Sequence, residues 1–432
     1  MKFLCKPLTL LVFVCSMVMA LSSWPALAKE TTITVWSHYA NDLPARKAIG
    51  LAVKKFDSEH PNAKVKIHWY QKDPLYAAEM TAMRANKGPD ILYLEPPKLD
   101  SYVSNGFLAP LNKLIDWKNV QPWARKIWTV KGKTYALPFQ AFTIELYYNK
   151  KLLHKLGYQL PADKQYNSKQ FLQLVKKARA AGITPIVQGI ADRPYPGTYM
   201  VDQLLLRELG PKAYGELWHG KLSFKDPRVM KVFRYVHELV KAGAYPRTFA
   251  SMTLAESRFY FHTKPQGLML PMGSWYTQNA FNPPSKGGQP KGFELGIMRF
   301  PSMPGGACDN CKDKSIDGSY AINANSKHKK LAAEFLNIMA TPWWGHKWFT
   351  LTSVQSAMKP PKNETFKGKH ATYFKELEDI NQGRKWFIGK PLNFIHGSCR
   401  DTYIQVFNQG LPAGLMSPGQ VASMMNSACY KQ

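Results

Sequence analysis

Gly88-Pro89-Asp90-Ile91-Leu92-Tyr93-Leu94-Glu95 is the stretch on which the fold turns. Four apolar residues in a row, opened by a Gly-Pro break and closed by a carboxylate, predict a strand over 90–94 with no polar face. That is the signature of a strand covered on both sides, as in a parallel sheet. Upstream, Thr32–Trp36 reads as a short strand and Val65–Trp69 as an alternating one. Between them, Ala48, Leu51, Ala52, Val53 and Phe56 form a helical stripe within 44–58. Helices are predicted over 76–86 and 99–105, each closed by a glycine. Strands alternating with helices imply βαβ units in an α/β protein.

Downstream the alternation returns with longer helices. Ser168 is placed to cap a helix ending before Gly182, and 227–242 is a second helix ended by Gly243. A third spans 254–261, with Thr253 and Glu256 at capping-box spacing. Strands follow at 267–270 and 320–324, with an extended run at 293–300 and a helix at 327–339; the tail from 343 is aromatic-rich. No repeat of 20–50 residues is present.

At 432 residues the chain is long enough for two or three domains of roughly 150 residues each. Its 45% apolar and 20% charged composition excludes a disordered or fibrous chain. Residues 1–28 are read as a leader rather than as fold: Lys2 and Lys6, an apolar stretch from Leu8 to Leu21, then Ala26-Leu27-Ala28 as a cleavage site after Ala28. The alternative, an uncleaved anchor, needs an apolar span of about 20 residues. Removing this leader takes two lysines and no acids from the formal charge of +29, leaving +27.

Cys308, Cys311, Cys399 and Cys429 then remain, an even count that favours disulfides in an exported chain. Three pairings are possible, and sequence neighbourhood selects Cys308–Cys311 with Cys399–Cys429. A redox role for the C-x-x-C is the alternative, but it follows the loop Pro304-Gly305-Gly306 instead of opening a helix that would lower a thiol pKa. A zinc site would need a second pair at metal spacing, which is missing.

The sequence has no phosphate-cradling glycine motif, no G-x-S-x-G elbow and no H-E-x-x-H pair, and no cofactor is implied. Acids are scarce. Glu95 and Asp317, at strand ends, read most simply as acceptors for a neutral hydroxylated ligand. Aromatics at strand ends are more telling, because α/β sheets bind ligands at the carboxyl ends of their strands. Trp36 is followed by Ser37, His38 and Tyr39; Trp275 follows Gly273-Ser274; Tyr147 and Tyr148 come after Glu145. Flat rings suit the apolar face of a sugar while polar side chains take its hydroxyls.

In order along residues 30–340, the chain resembles the extracellular solute-binding proteins of bacterial ABC importers, the family that includes maltose-binding protein. The motifs are I-T-V-W-S-H-Y (33–39), F-D-S-E-H-P-N-A-K-V-K-I (56–67), G-P-D-I-L-Y-L-E (88–95) with S-N-G-F-L-A-P-L (104–111), and Y-A-L-P-F-Q (135–140) with L-Y-Y-N-K-K-L-L (146–153). G-L-M-L-P-M-G-S-W (267–275) and I-D-G-S-Y-A-I-N (316–323) with K-H-K-K-L-A-A-E-F-L (327–336) complete the series. The Asp-Gly-Ser at 317–319, the cysteine loop and the strongly basic charge depart from the family pattern.

The resemblance implies a two-lobed periplasmic binding protein fold, type II-like, with the lobes joined by hinge crossings. Lobe 1 would be 29–138 plus 300–340, and lobe 2 would be 139–299 plus 341–432. It implies a monomer, not an enzyme, that binds a sugar or related solute between the lobes and delivers it to a permease in the inner membrane. Trp36 and Trp275 would stack on the ligand from opposite lobes. His38, Glu95, Asp317 and Ser319 would take hydroxyls, with Tyr148 as an added contact.

Two readings of the positive charge stand beside this one: a solvated lysine-rich surface, or a field that draws an anionic sugar, with Arg193 as a loop contact. Nucleic acid is not expected, since no recognition module is present. Asn363-Glu364-Thr365 matches a short glycosylation pattern. A carbohydrate-active enzyme using Glu95 or Asp317 as acid/base is the alternative function.

Overall fold

The structure is a computed structural model that describes residues 30–192, 195–263, 267–360 and 368–431. The leader, Arg193 and the Asn363 motif lie outside the described residues. Among the described residues the chain forms two large sheets, each with its own hydrophobic core, and a two-stranded hairpin of Thr129–Val130 with Lys133–Thr134. The first runs in the order Ala63–Trp69, Thr31–Ser37, Ile91–Leu94, Ser319–Ile322, Ala136–Pro138. Its first three strands are parallel and Ser319–Ile322 is antiparallel to both neighbours.

Ile91–Leu94 is buried throughout. Ile91 and Tyr93 enter one core cluster with Ile33 and Val35, whereas Leu92 and Leu94 enter another with Tyr102 and Trp128. The period-2 alternation of a strand divides its side chains between two dry faces. Asp90 pins the strand at its start. Its carboxylate accepts from the Thr34 N–H (2.8 Å) and hydroxyl (2.9 Å), and from the Ser326 hydroxyl (2.6 Å). The helix Leu43–Glu59, capped by Asp42, covers the sheet with Ala45, Ala48, Ile49, Ala52 and Phe56. Its small alanines let another helix, Pro342–Thr352, come close: the Trp344 indole N–H donates to the Ala48 carbonyl at 3.0 Å.

The second sheet runs Lys385–Ile388, Cys311–Ile316, Ala141–Asn149, Gly267–Gly273, Thr184–Ile186, with Leu295–Met298 also on Ala141–Asn149. All nine residues of Ala141–Asn149 are buried. The helix Ser168–Ala180 is capped by Asn167, one residue before the expected Ser168, and Thr253 and Glu256 form the expected reciprocal capping bonds.

The chain passes between the sheets at 138–141, at 316–319 and again after 352, and these passages are hydrogen-bonded side by side. Phe139 and Gln140 N–H donate to the Gly318 carbonyl, Ala141 N–H to Gln355, and Ala357 N–H to Phe139. The lobe division expected from sequence moves at two places. Residues 300–316 lie with lobe 2, because Phe300, Met303, Cys308 and Cys311 fill its core and Cys311–Ile316 joins its sheet. The helix Pro342–Thr352 lies with lobe 1, because Trp344 and Trp348 fill that core.

Both cysteine pairs selected by neighbourhood are disulfides, Cys308–Cys311 and Cys399–Cys429. Among the described residues, no helix is long and apolar enough to cross a membrane.

Candidate functional site

The carboxyl ends of the lobe 1 strands, the hinge passages and lobe 2 enclose a cavity of about 360 Å3. This falls at the small end of the usual ligand-site range, roughly 300–1,000 Å3. Its floor comes from lobe 1 and the hinge. The first strand ends at Ser37, and the turn after it carries His38 and Tyr39. The His38 ring sits 4.1 Å from Tyr39 and 4.4 Å from Tyr93. The buried Tyr39 hydroxyl donates to Gln140 Oε1 at 2.6 Å, and Gln140 Nε2 donates to Asp317 Oδ2 at 3.2 Å. Gly318 is needed here, since a Cβ at that position would lie 2.7 Å from the Tyr39 hydroxyl oxygen and 2.8 Å from the Phe139 ring.

Glu95 follows the third strand and pairs with Lys72, from the first turn of the helix Lys72–Arg84. Burial alone would raise the Glu95 pKa. The Lys72 and Lys390 ammonium groups and hydrogen bonds from Lys72 and Asp317 outweigh it and hold the carboxyl below the usual range. Asp317 moves the other way: burial and then the Glu95 charge raise it, against the pull of Lys72, Lys390 and His38. The two neighbouring acids are thus pushed apart: Glu95 carries the charge and Asp317 keeps its proton more readily.

The wall from lobe 2 is aromatic. Trp275 follows the strand Gly267–Gly273, and its ring lies over Gly273, where a Cβ would come within 2.2 Å of the indole. Ser274 N–H donates to the Thr143 carbonyl, which fixes the turn. Phe142 packs edge-on against Trp275 at 4.8 Å, Tyr199 stands 6.2 Å from Trp275, and Tyr195 stacks on Tyr199 at 4.9 Å. At the mouth, lobe 1 Asp42 faces lobe 2 Arg258. Burial raises the Asp42 carboxyl, and the Ala45 N–H and Arg258 pull it partly back.

Of the residues singled out from sequence, His38, Glu95, Trp275 and Asp317 line this cavity. Three do not. Trp36 lies on the opposite strand face from the buried Ile33, Val35 and Ser37, with its ring 5.2 Å from Tyr70. Tyr148 packs in the lobe 2 core over its cross-strand neighbour Gly296, where a Cβ would approach its ring to 2.3 Å. Ser319 is held in strand register between Leu94 and Pro138 and is fully buried. Sequence reasoning missed Lys72, Gln140, Tyr195, Tyr199, Arg258 and Lys390. Tyr195-Pro-Gly-Thr-Tyr199 carried a usable signal, two aromatics around a Pro-Gly break, whereas Lys72 was one of 58 basic residues. Among the described residues, no group of three or more His, Cys, Asp or Glu side chains is placed to hold a metal.

Residues 41–345 match the family model of bacterial extracellular solute-binding proteins. A multiple sugar-binding protein of Streptococcus mutans is 21% identical over 375 residues, 83% of this chain and 84% of that protein. An uncharacterised ABC transporter extracellular-binding protein of Pyrococcus horikoshii, PH1214, is 22% identical over 306 residues, which cover 68% of this chain and 65% of that protein. Two solved structures share the fold. A chitin oligosaccharide binding protein has a TM-score of 0.76 at 22% identity, over 91% of this chain and 97% of that one. RafE in complex with raffinose has a TM-score of 0.69 at 20% identity, over 92% of this chain and 99% of that one.

Proposed function

The chain belongs to the bacterial extracellular solute-binding protein family, and from that premise we propose that it binds a neutral carbohydrate or related polyhydroxylated solute between its lobes. It hands that solute, unaltered, to an ABC permease in the inner membrane and acts as a periplasmic monomer exported by the 1–28 leader.

One observation carries this reading: a flat aromatic wall from lobe 2 faces a polar floor from lobe 1, and the charges lining the cavity from both lobes largely offset one another. Asp42, Asp73, Glu95 and Asp317 are offset by Lys72, Arg258 and Lys390, so the strong positive charge of the chain is not repeated inside the cavity. Rings for the apolar sugar faces and paired, hydrogen-bonding charges for hydroxyls suit a neutral ligand better than an anionic one. A ligand touching both walls binds the closed form better than the open form and shifts the hinge toward closure.

The enzyme reading is disfavoured by the same floor. Glu95 is tied up in its ion pair with Lys72 and Asp317 accepts from Gln140 Nε2, whereas an acid/base carboxyl must be within hydrogen-bond reach of the proton it transfers.

A thermal-shift screen over neutral oligosaccharides, polyols, sugar phosphates and organic acids tests the proposal. A neutral saccharide at a hundredfold excess over its Kd should add about 2.7 kcal/mol of stability and be recovered intact by chromatography. Stabilisation by anionic sugars alone, or turnover of a glycoside, would overturn it.

A further inference from the structure

Phe142 borders not one cavity but two. The second, of about 390 Å3, lies at the hinge and draws its walls from both lobes: Trp123 and Met358 from lobe 1, Lys314, Asn381 and Trp386 from lobe 2, with Ala141 and Gln355 from the crossing strands. Its electrostatics are unlike those of the first. Among the described residues, no carboxylate lines it, and its charged or titratable groups are Lys314, Lys359 and His346.

The Lys314 ammonium is clasped between two indoles, 4.7 Å from the ring centre of Trp123 and 4.8 Å from that of Trp386. It makes no ion pair among the described residues. Burial lowers its pKa, and among the described residues no carboxylate offsets the effect. Ring faces compensate a half-buried cation only in part, and a buried charge without a counter-ion is costly. An anion entering the cavity would remove that cost. Met358 offers it an apolar surface, and the Gln121, Gln355 and Asn381 amides offer hydrogen bonds.

We propose that this hinge cavity is a second ligand site, for a small organic anion whose charged group meets Lys314 and whose apolar body lies against Met358. The assignment is independent of what the first cavity binds. Because both lobes line the site, its occupancy depends on the hinge angle, and by linkage an anion here changes affinity at the first cavity.

Benzoate and its neutral isostere benzamide, titrated calorimetrically into the whole protein at low ionic strength, test it. Glucuronate against glucose extends the test from an aromatic acid to a sugar acid. At least one of the two acids should bind about tenfold or more tighter than its neutral counterpart. Lys314→Arg should keep that preference and Lys314→Met should lose it. A crystal soaked with the preferred acid gives a readout independent of the variants: its carboxylate should lie within hydrogen-bond distance of Lys314 Nζ.

Equal binding of acid and neutral isostere, a preference that survives Lys314→Met, or density away from Lys314 overturns the assignment.

Discussion

The two sides of the first cavity are built on different physics. Lobe 1 supplies a floor of mutually compensating charges, Glu95 with Lys72 and Asp317 hydrogen-bonded to Gln140, held in place by Tyr39 and by the absence of a Cβ at Gly318. Lobe 2 supplies ring faces, with Trp275 set over Gly273 and backed by Phe142 and Tyr199. The floor is a network, so removing one member leaves another buried and unpaired. The wall is a packed surface, so removing one ring loses contact area and little else. Changes to the floor should therefore cost folding stability, and changes to the wall should cost affinity.

The largest expected effect is Lys72→Met. Truncating one partner of this largely buried ion pair should cost about 3 kcal/mol of stability, the low end for a fully buried pair because both side chains keep some exposure, readable as a lower urea midpoint at neutral pH. The pH dependence has a definite sign. Glu95 has a lowered folded pKa, so its pairing contributes stability above the ordinary glutamate range and loses it as pH falls through the folded value. The gap between wild type and Lys72→Met should thus be widest at neutral pH and shrink in acid. A gap that does not vary with pH would show that the pair is not the source.

Next is Trp275→Ala. It should lose about 1–3 kcal/mol of saccharide affinity by calorimetry, on the scale of stacking between a base and an aromatic ring, with an unfolding midpoint close to wild type. Unchanged affinity would take Trp275 out of the site and remove the contrast between the lobes. Smallest is Trp36→Phe, which should leave affinity within about 0.5 kcal/mol because the ring points away from the cavity. A loss as large as that of Trp275→Ala would mean that the cavity extends to the Trp36 face.

These contrasts also show how far the sequence could be read. The 88–95 stretch announced a doubly covered strand because four apolar residues between a Gly-Pro break and a carboxylate leave few other readings, and the cores on its two faces agree. Trp36 and Trp275 looked alike, each at a strand end beside polar residues, yet only one faces the cavity. Nearness to a strand end does not decide facing: Trp36 is still inside its strand and obeys the alternation, whereas Trp275 lies beyond its strand, in a turn fixed by Ser274.

Tyr148 sits in a strand buried on every residue, so no periodicity distinguished core from site. The strand Cys311–Ile316 was hidden because C-K-D-K-S-I carries three charges that the fold buries wholly or in part, Lys312 against Glu145 and Asp313 against Gln203. Lys72 had no signature at all, since its role exists only once Glu95 is brought beside it.

The most direct test of the central claim is a high-resolution structure of the protein with the saccharide that stabilises it most. One sugar ring should lie against Trp275 and its neighbouring tyrosines, with hydroxyls within hydrogen-bond distance of the Asp317, Gln140 and Glu95 side chains, so that both lobes touch the same molecule. A saccharide held by one lobe only, or lodged outside this cavity, would contradict it.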